Sequence, residues 1–142
     1  MWLYYFAIFL VVISNVFYHI SQKSTPVAAH PILSLTVTYL TAAAFTLILL
    51  PFFPLQEGLA ASLKKLNWTC LSLGIAIVGL ELGFLLAYRA GWNISVAQFF
   101  STVIITLVLI PVGLLFFQEK MTLINGLGIL LCLGGFMLIN IK

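Results

Sequence analysis

Charge is what this chain has least of: three acids and six bases make up 6% of its 142 residues. A soluble domain charges about 25% of its residues, so an ordinary water-facing surface is excluded, and no segment is polar for long enough to form a separate soluble domain. Also missing are a phosphate-cradling glycine loop, a clustered set of metal ligands and the strained turn that presents a nucleophile. An enzyme reading has no support, and neither a cofactor nor a metal is expected. The small excess of bases is scattered, which suits membrane-surface anchors and not a nucleic-acid contact. Only two cysteines occur, Cys70 and Cys132, both inside apolar runs, where they read as small packing residues without support for a disulfide. Met1-Trp2-Leu3-Tyr4 carries no basic n-region, and no small-residue cleavage site follows it, so the first apolar run is expected to stay as a helix.

What is there is hydrophobic. The apolar share is 63% and the mean hydropathy +1.24, against about 45–50% apolar residues in a soluble domain, which points to an integral membrane protein. Five apolar runs stand out, approximately Trp2–Ile20, Ile32–Phe53, Trp68–Tyr88, Ile94–Phe117 and Leu123–Ile141. At about 1.5 Å rise per residue, roughly 20 residues match a hydrocarbon core about 30 Å thick. Backbone polar groups must be satisfied internally in lipid, so the runs are expected as helices, and residues 1–142 as one all-α domain of five spans. Between the second and third runs, Leu59, Leu63, Lys64 and Lys65 predict a short interfacial helix with basic anchors. The tight link Ala90-Gly91-Trp92-Asn93 predicts antiparallel third and fourth spans.

The third span carries Glu81 near its middle. A charge at that depth costs about 3 kcal/mol, so an intramembrane acid faces protein or water and not lipid. Spacings of 3, 4 and 7 put Gly74, Val78, Leu85 and Tyr88 on its face, with room toward Gly74 and crowding toward Leu85 and Tyr88. Either Glu81 serves a wet cavity, or it is a buried acid satisfied by hydroxyls of the fourth span or by the partner subunit's Arg89. Within one chain Arg89 lies eight residues on, about 12 Å along the axis, too far for an easy ion pair.

Other polar residues are read beside it. Asn15 and His19 share a face of the first span, which a polar turn, Ser21–Pro26, is expected to close. Asn15 reads as a cavity residue or an interhelical hydrogen bond, and His19 as a solvated helix end. In the second span Ser34, Thr38, Thr41 and Ala42-Ala43-Ala44 suit close packing. The fourth span holds the densest polar array, Ser95, Gln98, Ser101, Thr102 and Thr106, which reads as a ligand-facing surface, and Pro111 predicts a kink. Gly128, Cys132 and Gly135 form a small-residue seam on the fifth, for dimerisation or for packing within the chain. With alternating sides, Lys64, Lys65 and Lys120 oppose Lys23, Arg89 and Lys142, three against three. Because Lys and Arg bias sets orientation, the balance predicts dual topology and an inverted pair of subunits.

From Leu73 to Lys142 the chain resembles the drug/metabolite transporter superfamily, as a single EamA-type half. The resemblance rests on Gly79-Leu80-Glu81-Leu82-Gly83, Ala87-Tyr88-Arg89-Ala90-Gly91, Phe117-Gln118-Glu119-Lys120-Met121 and Asn125-Gly126-Leu127-Gly128-Ile129 running to Gly134-Gly135. Gln22-Lys23 and Tyr39-Leu40-Thr41-Ala42-Ala43 extend it more loosely. It implies one five-helix half acting as an antiparallel homodimer, with Asn15, Glu81, Gln98, Ser101 and Thr102 around a shared cavity. The fifth run is also similar to the dimerisation helix of the four-helix small multidrug resistance proteins, whose glycine pair Gly128 and Gly135 match. Those proteins carry a glutamate in their first helix, where this chain has Ser14 and Asn15, and Ser101 stands where a tryptophan would line the drug site. Cationic-drug export therefore does not follow from the likeness.

The expected function is secondary active transport, in the export direction, of a small organic metabolite or drug-like molecule, by alternating access in a dual-topology homodimer. Glu81 is the expected proton carrier, Asn15, Gln98, Ser101 and Thr102 the substrate contacts, and Tyr88 and Trp92 the caps of the cavity. Two alternatives stand beside it: a flippase for a lipid-linked sugar or polyprenyl phosphate using Arg89 or Lys23, and a non-transporting assembly subunit. The expected partners are a second copy, a small-molecule substrate and membrane lipids, in a prokaryotic cytoplasmic membrane.

Overall fold

Long apolar runs fold as helices here because only a helix satisfies its own backbone without water. The computed structural model describes residues 2–55, 57–118 and 122–140. In order they form α1 (Trp2–Ser24), α2 (Pro31–Leu49) with a 3-10 turn (Leu50–Phe52), α3 (Leu59–Lys64), α4 (Trp68–Arg89), α5 (Ile94–Phe116) and α6 (Leu123–Asn140), with no strand among the described residues. Four stretches, Trp2–Ser24, Pro31–Phe52, Trp68–Arg89 and Ile94–Phe116, are long and apolar enough to cross a membrane, as an integral multi-pass protein requires. In α6 the described apolar stretch, Leu123–Cys132, is shorter than a span. Lys120, Lys142 and the expected end of the fifth run at Ile141 lie outside the described residues.

Helix ends follow local chemistry. Pro31 opens α2 at a position that needs no N–H. The Asn67 carboxamide oxygen caps α4, accepting the Thr69 N–H at 2.9 Å and the Thr69 hydroxyl. Asn67→Ala is expected to cost about 1 kcal/mol through loss of that cap, measured as a lowered unfolding midpoint in detergent. At the other end of α4, Gly91 adopts φ +99, a left-handed conformation that a β-carbon disfavours, and its N–H reaches the Tyr88 carbonyl at 3.1 Å. The short helix expected between the second and third runs is present as α3, and beside it the exposed Lys65 and Glu57 pair at 2.7 Å.

One expected boundary moves. The first helix does not stop at Ile20 but runs to Ser24, so Ser21 to Ser24 are helical and not a turn. The reason lies in packing: Gln22 Nε2 donates to the Glu81 carbonyl at 3.2 Å and Lys23 Nζ to the Tyr88 carbonyl at 3.4 Å. Polar side chains that look like a loop signal are instead holding α1 against α4.

The chain divides into two compact units, Met1–Gly91 and Trp92–Lys142. In the first, α1 and α2 both pack on α4. Its most buried side chains are Leu35, His19, Glu81, Leu85 and Tyr88, with Leu85 only 1% exposed. In the second, α5 packs on α6.

Candidate functional site

Three buried residues of α4, Glu81, Leu85 and Tyr88, lie on one face, the C-terminal half of the stripe that includes Gly74 and Val78. Leu85 and Tyr88 close that half, while a β-carbon added at Gly74 would meet open space. Arg89 ties the loop between α1 and α2 to the same end: its Nη2 donates to the carbonyls of Pro26 at 3.2 Å and Ala29 at 2.8 Å. That tie sets the depth of α2. Tyr39 is eight residues into α2 from Pro31, and Glu81 is eight residues before Arg89, so each lies about 12 Å from the shared end.

Glu81 is 9% exposed, and its Oε2 has no hydrogen-bond partner among the described residues. The Tyr39 hydroxyl stands close enough to act on the carboxyl, although its Oη also has no partner at hydrogen-bond geometry. The Tyr18 hydroxyl accepts from Gln22 Nε2 at 3.4 Å, and Gln22 Nε2 in turn reaches the backbone carbonyl of Glu81. The side chain shown beside the acid is thus a neutral hydroxyl, that of Tyr39, and among the described residues the salt bridge found joins Lys65 to Glu57, not Glu81 to a base. A bare charge at such a position is costly.

Beyond Glu81 the face continues as aromatic packing. Phe84 contacts the His19 ring at 4.7 Å between centroids, edge to face, and Tyr88 at 5.9 Å. His19 is not a solvated helix end: it is 4% exposed and its Nδ1 lies 2.7 Å from Tyr88 Oη. Tyr88 is itself 5% exposed and packed within its own unit, so it closes one end of the Glu81 face. Asn15, one turn before His19, is exposed.

Within the second unit, the polar array of α5 is largely turned on its own helix. Ser101 donates to the Gln98 carbonyl at 3.0 Å, Thr106 to the Thr102 carbonyl at 2.8 Å, and Gln98 Nε2 to Thr102 Oγ1 at 3.3 Å. With their protons so used, Ser101 and Thr106 present chiefly acceptor lone pairs. Thr102 and Thr106 line a groove of about 390 Å³ between α5 and α6, with Phe99, Asn125, Gly128 and Cys132 on its walls. Two members of the expected dimer seam therefore border a groove within their own chain. Among the described residues no neighbour lies within 4 Å of a β-carbon built on Gly128 or Gly135, so neither glycine serves a close helix approach among them. Trp92 is 42% exposed and packs on Phe100 at 5.6 Å.

Fold and site together define a small, all-helical, multi-pass type of protein with a carboxyl buried inside one membrane-length helix. Comparison of the chain with family models, with curated proteins and with solved structures found no match.

Sequence reasoning passed over Tyr18, Gln22 and Tyr39 as parts of the Glu81 surroundings and misjudged His19. A signal existed. Counting residues from the α1–α2 connection and from the end of α4 puts Tyr39 and Glu81 at equal depth as soon as the two ends are joined.

Proposed function

We propose that this chain is half of a secondary active transporter, exporting a small organic molecule and coupling its movement to protons at Glu81. The observation that carries the reading is the Glu81 carboxyl: nine-tenths buried within α4, with one oxygen unpartnered among the described residues and a tyrosine hydroxyl beside it. An acid surrounded by neutral groups can exchange a proton without breaking an ion pair, which a permanent structural salt bridge cannot do. Neutral acceptors along α5, at Gln98, Ser101 and Thr102, and at Asn15 on α1, would contact the substrate by hydrogen bonds.

In this reading α6 is the fifth span, two copies assemble in opposite orientations through the Gly128–Gly135 seam, and the pair works in a prokaryotic cytoplasmic membrane. The likeness to one EamA-type half and the three-against-three distribution of bases support it. The flippase alternative is less well supported, since Arg89 and Lys23, its expected phosphate ligands, donate to carbonyls of their own chain.

The test is proton counting. Purified protein in weakly buffered detergent should release protons when a transported metabolite, found by screening a panel in proteoliposomes, is added. Glu81→Gln should abolish that release, and unimpaired transport in the same variant would refute the proposal.

A further inference from the structure

The groove between α5 and α6 has a chemistry of its own. It holds about 390 Å³, within the roughly 300–1,000 Å³ of small-molecule sites, which are mostly apolar with a few placed polar groups. Phe99, Val103 and Leu107, four residues apart along α5, form one apolar wall, and Ile129 of α6 lies on the other. Close helix packing would remove such a space. Here a β-carbon built on Gly128 meets no neighbour among the described residues, so the glycine leaves room in the groove.

Three polar residues, Thr102, Thr106 and Asn125, line the same groove, and none of its lining residues is charged. Thr106 donates its proton to the Thr102 carbonyl at 2.8 Å, which leaves the lone pairs of its oxygen for a partner. Thr102 Oγ1 already accepts from Gln98 Nε2 at 3.3 Å. The Asn125 backbone N–H donates to Thr122 Oγ1 at 3.2 Å, while its carboxamide has no partner among the described residues. An acyl chain filling the groove would offer these atoms nothing, and an ion would lose its hydration without meeting a counter-charge. A neutral molecule that donates a hydrogen bond satisfies both conditions.

We infer that this groove binds a neutral, largely apolar organic molecule of about two rings that carries an O–H or N–H donor, and that Thr106 Oγ1 accepts its hydrogen bond. The inference deepens the reading of the α5 hydroxyls as substrate contacts, names the substrate class they take, and rests on that reading. Size follows from volume: a cavity of about 150 Å³ holds benzene, so one of about 390 Å³ holds a fused ring pair with a substituent. Phe99 provides an aromatic surface for those rings, and the Cys132 thiol a soft, polarizable contact.

The experiment is equilibrium dialysis of the full-length protein in lipid nanodiscs, with empty nanodiscs as the reference for partition into lipid. The probes are 2-naphthol, 2-methoxynaphthalene and 2-naphthoate at neutral pH, which share one ring system and differ in donor and charge. 2-Naphthol should bind saturably and about fivefold more tightly than 2-methoxynaphthalene, and 2-naphthoate should not bind above the reference. Lipid partition alone gives the opposite order for the two neutral probes, since the methyl ether is the more apolar. Thr106→Val keeps the side-chain volume and should weaken 2-naphthol about fivefold while leaving 2-methoxynaphthalene unchanged; Thr106→Ser should behave as wild type. Leu107→Trp, at an exposed position on the groove wall, should remove binding of both neutral probes. Non-saturable uptake of 2-naphthol, equal binding of the two neutral probes, bound 2-naphthoate, a Thr106→Val effect shared by both neutral probes, or binding that survives Leu107→Trp would each overturn the inference. Dialysis reads occupancy and not flux, so failure here leaves proton coupling at Glu81 standing, whereas unimpaired transport by Glu81→Gln would remove that coupling and leave 2-naphthol bound.

Discussion

Glu81→Gln is expected to leave a folded, inserted protein that moves no protons with its substrate. Glutamine keeps the length and most of the shape of the side chain, and it removes a group whose charged form costs about 3 kcal/mol at membrane depth. Thermal unfolding should therefore be unchanged or shifted upward. Transport driven by a pH gradient in proteoliposomes should fall to the background of empty vesicles, since glutamine neither binds nor releases a proton between pH 5 and 8. Tyr39→Phe provides the graded comparison: it removes a buried hydroxyl that makes no hydrogen bond among the described residues, so stability is expected to be unchanged or slightly raised while coupled transport survives with an altered pH profile. Equal pH-driven transport in wild type and Glu81→Gln would remove the proton from the mechanism.

Why Glu81 could be picked from the sequence while its neighbours could not is a matter of physics. An acid in an apolar run stands out by cost alone, whatever surrounds it. Spans were equally legible, because lipid demands about 20 apolar residues, and the starts at Trp2, Trp68 and Ile94 coincide with α1, α4 and α5. Which helix packs on which is another matter. Every membrane helix is apolar on most faces, so periodicity that marks a buried stripe in water has little contrast here. Tyr39 reads in sequence as one more apolar-run aromatic, and only the Arg89 tie to the Pro26–Ala29 loop brings it level with the acid. His19 and Gln22 were misread for the related reason that polarity near a helix end normally means solvent, whereas here both find partners on α4. On the hydroxyl-rich face of α5, density alone does not mark a ligand surface, because Ser and Thr in apolar helices commonly bond their own backbone, as Ser101 and Thr106 do, keeping acceptor lone pairs for another partner.

Orientation should respond strongly to a change of two charges. Lys64 and Lys65 are exposed, and the Lys65–Glu57 pair is of the exposed kind that contributes little to stability, so replacing both lysines by alanine should not harm the fold. Lys23 and Arg89 cannot be used in this way, since both hold loop or helix carbonyls. If five spans cross the bilayer, removing Lys64 and Lys65 leaves Lys120 against Lys23, Arg89 and Lys142, one base against three. At about 1 kcal/mol per base near an anionic leaflet, two charges shift the equilibrium by about 2 kcal/mol, roughly thirtyfold. The double variant should therefore insert almost wholly with the α1–α2 connection in the cytoplasm, read by labelling a cysteine introduced at Val27 from either side of intact cells. Wild type should label from both. The functional consequence follows from the inverted pair: the biased variant alone should lose transport, and coexpression with an oppositely biased variant, Ser62→Lys with Lys142→Ala, should restore it. One-sided labelling of the wild type, or full transport by the biased variant alone, would mean that the working unit contains no oppositely inserted copy, and Glu81 would then have to be served within a parallel assembly or a single chain.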